Sequence, residues 1–85
     1  MSQKEKLIKK LLSGAKDFTF NELSALLSFY GYTLTNKGRT SGSRVMFTHK
    51  ERASIISMHK PHGRKELLNY QMKQVIDVLT REGFL

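Results

Sequence analysis

The apolar residues of this chain change their period at Gly31, and that change decides its fold class. Before Gly31 they recur at helical intervals, from Tyr32 to His59 they alternate, and after Leu68 the helical interval returns. Residues 2–13 predict a helix with Leu7, Ile8, Leu11 and Leu12 on one side and lysines opposite, stopped by Ser13 and Gly14. Thr19 and Glu22 have capping-box spacing, in which each side chain satisfies a free backbone N–H at a helix start. Leu23, Leu26, Leu27 and Tyr30 continue that second helix to its stop at Gly31, and Phe18, Phe20 and Phe29 are expected to pin the two helices together.

The alternating part predicts strands at Tyr32–Thr35, Arg44–His49 and residues 54–59, joined by a basic, glycine-containing turn at 36–42 and a tight charged turn at 50–52. With Val45, Phe47, Ile56 and Met58 turned inward, Arg44, Met46, Thr48, Ile55, Ser57 and His59 must face outward, because strand side chains alternate between faces. A loop at 60–66 around Pro61 and Gly63 leads to a last helix from Asn69. Leu68, Met72, Val75, Ile76 and Leu79 form its apolar side, and Gly83 is its stop. The expected architecture is α+β in the order ααβββα, a three-stranded antiparallel sheet with helices on one face, built as a single domain over 1–85.

Charge is distributed as unevenly as period. Residues 36–65 carry Lys37, Arg39, Arg44, Lys50, Arg52, Lys60, Arg64 and Lys65 against the single acid Glu51, which is +7 of the chain's +8. The same window holds His49, His59 and His62. A local positive field of this density suits a polyanion, nucleic acid first and an acidic protein second. Cysteine is absent, which removes disulfides and thiolate metal sites. The N-terminus has no apolar signal core and no stretch approaches the roughly 18 apolar residues that span a bilayer, so a cytoplasmic location without a membrane partner is expected.

Within the window, Arg44, Thr48, Ser57 and His59 on the outer sheet face make a phosphate-reading surface between two basic loops. Lys37, Arg39, Ser43, Arg44, Lys60, Arg64 and Lys65 are the expected RNA-binding residues. His59 and His62 bracket Lys60 and Pro61, and imidazoles there can act as general acid and base near neutral pH. The His-x-x-His spacing lacks a nearby carboxylate or cysteine in a field that repels cations, so no metal and no cofactor is expected. Residues 40–43 (Thr-Ser-Gly-Ser) are no P-loop, and the expected outer face has no aromatic pair on which bases would stack.

From about Leu26 onward the chain resembles the HicA-type toxins, small mRNA interferases of bacterial toxin–antitoxin pairs. The likeness rests on Leu26, Leu27, Gly31 and Tyr32, on the segment from Gly42 to Phe47, on the segment from Pro61 to Leu67, and on the last helix from Val75 to Leu79 with Gly83 and Phe84 after it. Residues 1–15 would be an added N-terminal helix. The resemblance implies a fold like the double-stranded RNA-binding domain, metal-independent cleavage of mRNA by a histidine, and an acidic HicB-like antitoxin as partner. It also exposes a departure. The family's catalytic histidine follows the Gly-Ser turn, where this chain has Arg44 and Val45. An arginine stays protonated and can bind or stabilise charge but cannot act as base. Three readings stay open: His59 or His62 carries the proton transfer, Arg44 stabilises the transition state beside another base, or the chain is a catalytically inactive double-stranded RNA-binding or regulatory module. A basic protein-interaction domain for an acidic partner is the further alternative.

Overall fold

In a computed structural model of the chain, residues 2–35, 44–60, 63 and 65–85 are described. The architecture is α+β, with helices α1 (Gln3–Leu12), α2 (Phe20–Phe29) and α3 (Asn69–Arg81) and strands β1 (Tyr32–Thr35), β2 (Arg44–His49) and β3 (Ile55–His59) in the order ααβββα. The strands form one antiparallel sheet in the order β1-β2-β3, with Tyr32 opposite His49 and Arg44 opposite His59.

Each early helix starts where a side chain can replace a missing backbone partner. Ser2 and Glu5 form a capping box on α1, and Thr19 and Glu22 form one on α2. Glu22 also links the two helices, because both its oxygens accept from Lys10 Nζ at 3.0 Å and so tie α1 to the start of α2. Burial pulls the Glu22 carboxyl upward, but the Thr19 N–H, the Lys10 ammonium and the Thr19 hydroxyl outweigh it and hold the group below the ordinary glutamate value.

The core lies between the helices and the inner sheet face. Val45, Phe47, Ile56 and Met58 from the sheet meet Leu23, Leu26 and Leu27 of α2 and Met72, Val75 and Leu79 of α3, while α1 contributes Leu7 and Leu11. The Phe20 and Phe47 rings, 5.8 Å apart, join α2 to the sheet. The expected apolar sides are therefore the buried ones, with three corrections at their margins. Phe29 is 48% exposed, Leu12 is 55% exposed and Leu68 is 37% exposed. Phe29, beside the Leu23–Leu26–Leu27 stripe of α2, is exposed and does not pin the helices, whereas Phe18 and Phe20 are buried in the core.

Between the basic loop at 60–66 and α3 the chain returns to α2. Phe20 N–H donates to the Lys65 carbonyl at 2.9 Å and Leu67 N–H to the Phe18 carbonyl at 2.8 Å, an antiparallel bridge centred on Thr19 and Glu66.

A close junction surrounds His49. Its ring is buried, with Nε2 donating to the Tyr30 carbonyl at 2.8 Å. Nδ1 accepts the N–H groups of Glu51 and Arg52 at 2.9 and 3.1 Å. Two donors converging on Nδ1 require that this nitrogen carry no proton, which specifies the neutral Nε2–H tautomer. The imidazole thus organises the charged turn at 50–53 and holds the end of α2. Phe84 stacks on it at 5.8 Å, and the Arg52 guanidinium lies 4.5 Å from the Phe84 ring at the same junction. Arg52 also donates to the Glu82 carbonyl (2.8 Å), an arrangement suited to the negative end of α3.

Gly31 makes this junction possible. Its φ is +97°, a backbone region that side chains rarely adopt, and an added Cβ would lie 2.8 Å from His49 Nε2. Gly31→Ala is expected to cost about 3 kcal/mol from strain and overlap together. In a His49→Ala background the penalty should fall to about 1 kcal/mol, the conformational part alone. Urea denaturation of the four chains measures this coupling. A second expectation concerns Glu22→Gln. Because the folded carboxyl is held low, its stabilising contribution of about 1 kcal/mol is full above the unfolded carboxylate range and disappears as pH falls through the lowered folded value. Denaturation curves of the two chains should differ at neutral pH and converge in acid.

Candidate nucleic-acid interface

Alternation along β2 and β3 sends one set of side chains to the face that no described helix covers. Thr33, Thr35, Arg44, Met46, Thr48, Ile55, Ser57 and His59 lie there, the outward set expected from the sequence extended by the β1 threonines. At one end of this face Arg44 and His59 are direct cross-strand partners, and both are exposed. Directly opposed residues on an antiparallel pair have side chains within mutual reach, so the guanidinium and the imidazole share one small patch. Arg44 Nε donates to Ser57 Oγ at 3.2 Å. That bond uses one of the five guanidinium N–H groups and orients the terminal fork.

Across the rest of the face the polar groups are mostly engaged with one another. Thr35 and Thr48 share a hydroxyl–hydroxyl hydrogen bond of 3.0 Å, and the Thr35 hydroxyl is also 3.1 Å from the Met46 carbonyl. Ile55, 56% exposed, and half-buried Met46 make the remainder aliphatic. Among the described residues no aromatic ring stands on this face, so they form no stacking platform for bases.

The sequence-predicted residues separate into distinct places. Arg44 and His59 come together. Lys60 does not join them: its ammonium lies 5.4 Å from the centre of the Phe20 ring, turned toward the helix layer. Lys65 is exposed, and its main chain is held by Phe20 at the α2 start. Lys37, Arg39, Ser43, His62 and Arg64 lie outside the described residues. Of the other window cations, Arg52 is engaged with Phe84 and Glu82.

Two functional assignments escaped the sequence reading. His49 shares the cationic window with His59 but is a structural residue on the inner face. Its parity with Val45 and Phe47 carried the signal. Ser57 faces outward as its alternation predicts, yet its partnership with Arg44 depends on the β2–β3 register, which no local pattern specifies.

No protein-family model, curated protein or solved structure matches this chain. Among the described residues, no helix is long and apolar enough to cross a membrane, and no three His, Cys, Asp or Glu side chains form a group that would hold a metal ion.

The different surroundings of the two described histidines can be read chemically. Under native conditions diethyl pyrocarbonate should modify His59 readily and leave His49 intact until the chain is unfolded. Peptide mass spectrometry of briefly treated protein, with and without denaturant, measures the difference.

Proposed function

We propose that the outer sheet face binds RNA backbone and that the chain is a HicA-like toxin, a metal-independent mRNA endoribonuclease restrained by an acidic HicB-like antitoxin. The observation that carries this reading is the cross-strand pairing of Arg44 with His59 on an exposed face within the most basic third of the chain. The resemblance noted from the sequence supplies the reaction class.

In this mechanism, basic residues of the 37–44 and 60–65 segments clamp backbone phosphates on either side of the sheet. A neutral imidazole, His59 or His62, removes the proton of a ribose 2′-hydroxyl. The 2′-oxygen attacks the adjacent phosphorus while Arg44 stabilises the negative charge that accumulates on the phosphoryl oxygens. The P–O5′ bond breaks as the second imidazole, in its protonated form, delivers a proton to the departing oxygen. The products are a 2′,3′-cyclic phosphate and a 5′-hydroxyl, and no redox partner or co-substrate is consumed.

One feature favours a second reading. Arg44 stands where the resembling family has its catalytic histidine, so a chain that binds RNA without cutting it would keep the same surface. Incubating purified protein with labelled mRNA in EDTA separates the possibilities. The expected result is discrete cleavage, reduced about 100-fold or more by His59→Ala or His62→Ala while RNA affinity stays within a few-fold. Arg44→His should raise the rate if the geometry is still that of the family. Intact RNA that shifts on a gel, with affinity falling steeply as salt rises, would establish a binding module instead. Negligible RNA affinity at physiological salt would leave an acidic protein as the partner of the basic face.

A further inference from the structure

Strand β3 is an edge of the sheet, and His59 is its last residue. Backbone groups on the open side of an edge strand have no neighbouring strand to hold them, and strand ends fray first. Here side chains of α3 take that place. Gln74 Nε2 donates to the Ser57 carbonyl at 3.0 Å, and Gln71 Nε2 donates to the His59 carbonyl at 2.7 Å. The two carbonyls belong to the two residues whose side chains flank Arg44 on the opposite face.

Gln71 is the more constrained of the pair. It is only 2% exposed, an unusual place for a glutamine, and both ends of its amide are used. Oε1 accepts the Leu68 N–H at 3.0 Å while Nε2 binds the His59 carbonyl. A donor on one side and an acceptor on the other leave the amide a single satisfactory orientation. One buried side chain thereby ties the first turn of α3 to the point where β3 passes into the basic loop.

We propose that Gln71 is a positioning residue: it fixes the main chain of His59, and through it the place of the imidazole beside Arg44. This rests on the reading of the Arg44–His59 patch as the reactive surface, but the placement of His59 can be tested separately from catalysis. Gln71→Leu preserves volume and removes both hydrogen bonds. Gln71→Glu keeps the acceptor for Leu68 but presents a carboxylate to the His59 carbonyl. Once protonated, the same carboxyl regains a donor and is close to isosteric with the glutamine.

The experiment is NMR of the histidine ring signals in isotopically labelled wild type, Gln71→Leu and Gln71→Glu, with single-turnover RNA cleavage measured on the same samples. In Gln71→Leu, the ring signals of His59 should shift or broaden while those of His49 stay in place. Cleavage should fall at least tenfold with RNA affinity changed less than threefold. In Gln71→Glu, the His59 signals should differ from wild type at neutral pH and approach the wild-type positions at matched acid pH. Unchanged His59 signals in Gln71→Leu would overturn the proposal. If Gln71→Leu fails to fold, the acid recovery of Gln71→Glu decides: recovery supports the clamp, and its absence overturns it. A wild-type chain that leaves RNA intact would defeat the ribonuclease reading while the ring signals still judge Gln71.

Discussion

The imidazole of His49 is the point on which the separate parts of this chain depend. Its three hydrogen bonds reach the end of α2 and the turn that connects β2 to β3, and its flat face receives Phe84 from beyond the end of α3. Each bond satisfies a backbone group that the local fold leaves without a partner: a carbonyl at a helix end and two N–H groups in a tight turn. Leaving such groups unsatisfied in a buried position costs on the order of 1–3 kcal/mol apiece, so one side chain secures several connections at once. Gly31 belongs to the same device, since only a residue without Cβ lets the ring approach the backbone so closely.

This arrangement divides the basic segment into structure and surface. Sequence alone presents eight cations and three histidines as one field. In the fold, His49 and Arg52 serve the inner junction, Lys60 leans over Phe20, and Arg44 and His59 stand on the open face. Charge density therefore marks a region, and alternation along β2 and β3 decides which of its strand residues face the open side of the sheet.

Much of the architecture was legible because its signals are local. The Thr19–Glu22 pair, the leucine stripe of α2, the strands Tyr32–Thr35 and Arg44–His49, and the inward parity of Val45, Phe47, Ile56 and Met58 each follow from the spacing of nearby residues. The errors fall where spacing is ambiguous. Phe29 and Leu12 lie beside the apolar stripes of their helices, and only the packing of neighbouring elements decides that they stay in water. The candidate site was half legible for the same reason. Outward parity identified Arg44 and His59 separately, whereas their pairing, the Ser57 contact and the Gln71 and Gln74 bonds join residues distant in sequence and arise from register and helix docking.

The strand order itself carries one more consequence. Every pairing in the sheet joins strands consecutive along the chain, so β1 and β2 are separated by only the eight residues 36–43. The entropy of closing such a connection grows slowly with its length; doubling it costs about 0.6 kcal/mol. The order β1-β2-β3 needs no crossover connection. A sheet built only from such neighbouring pairings closes with short loops, so the entropy of its assembly depends little on distant parts of the chain.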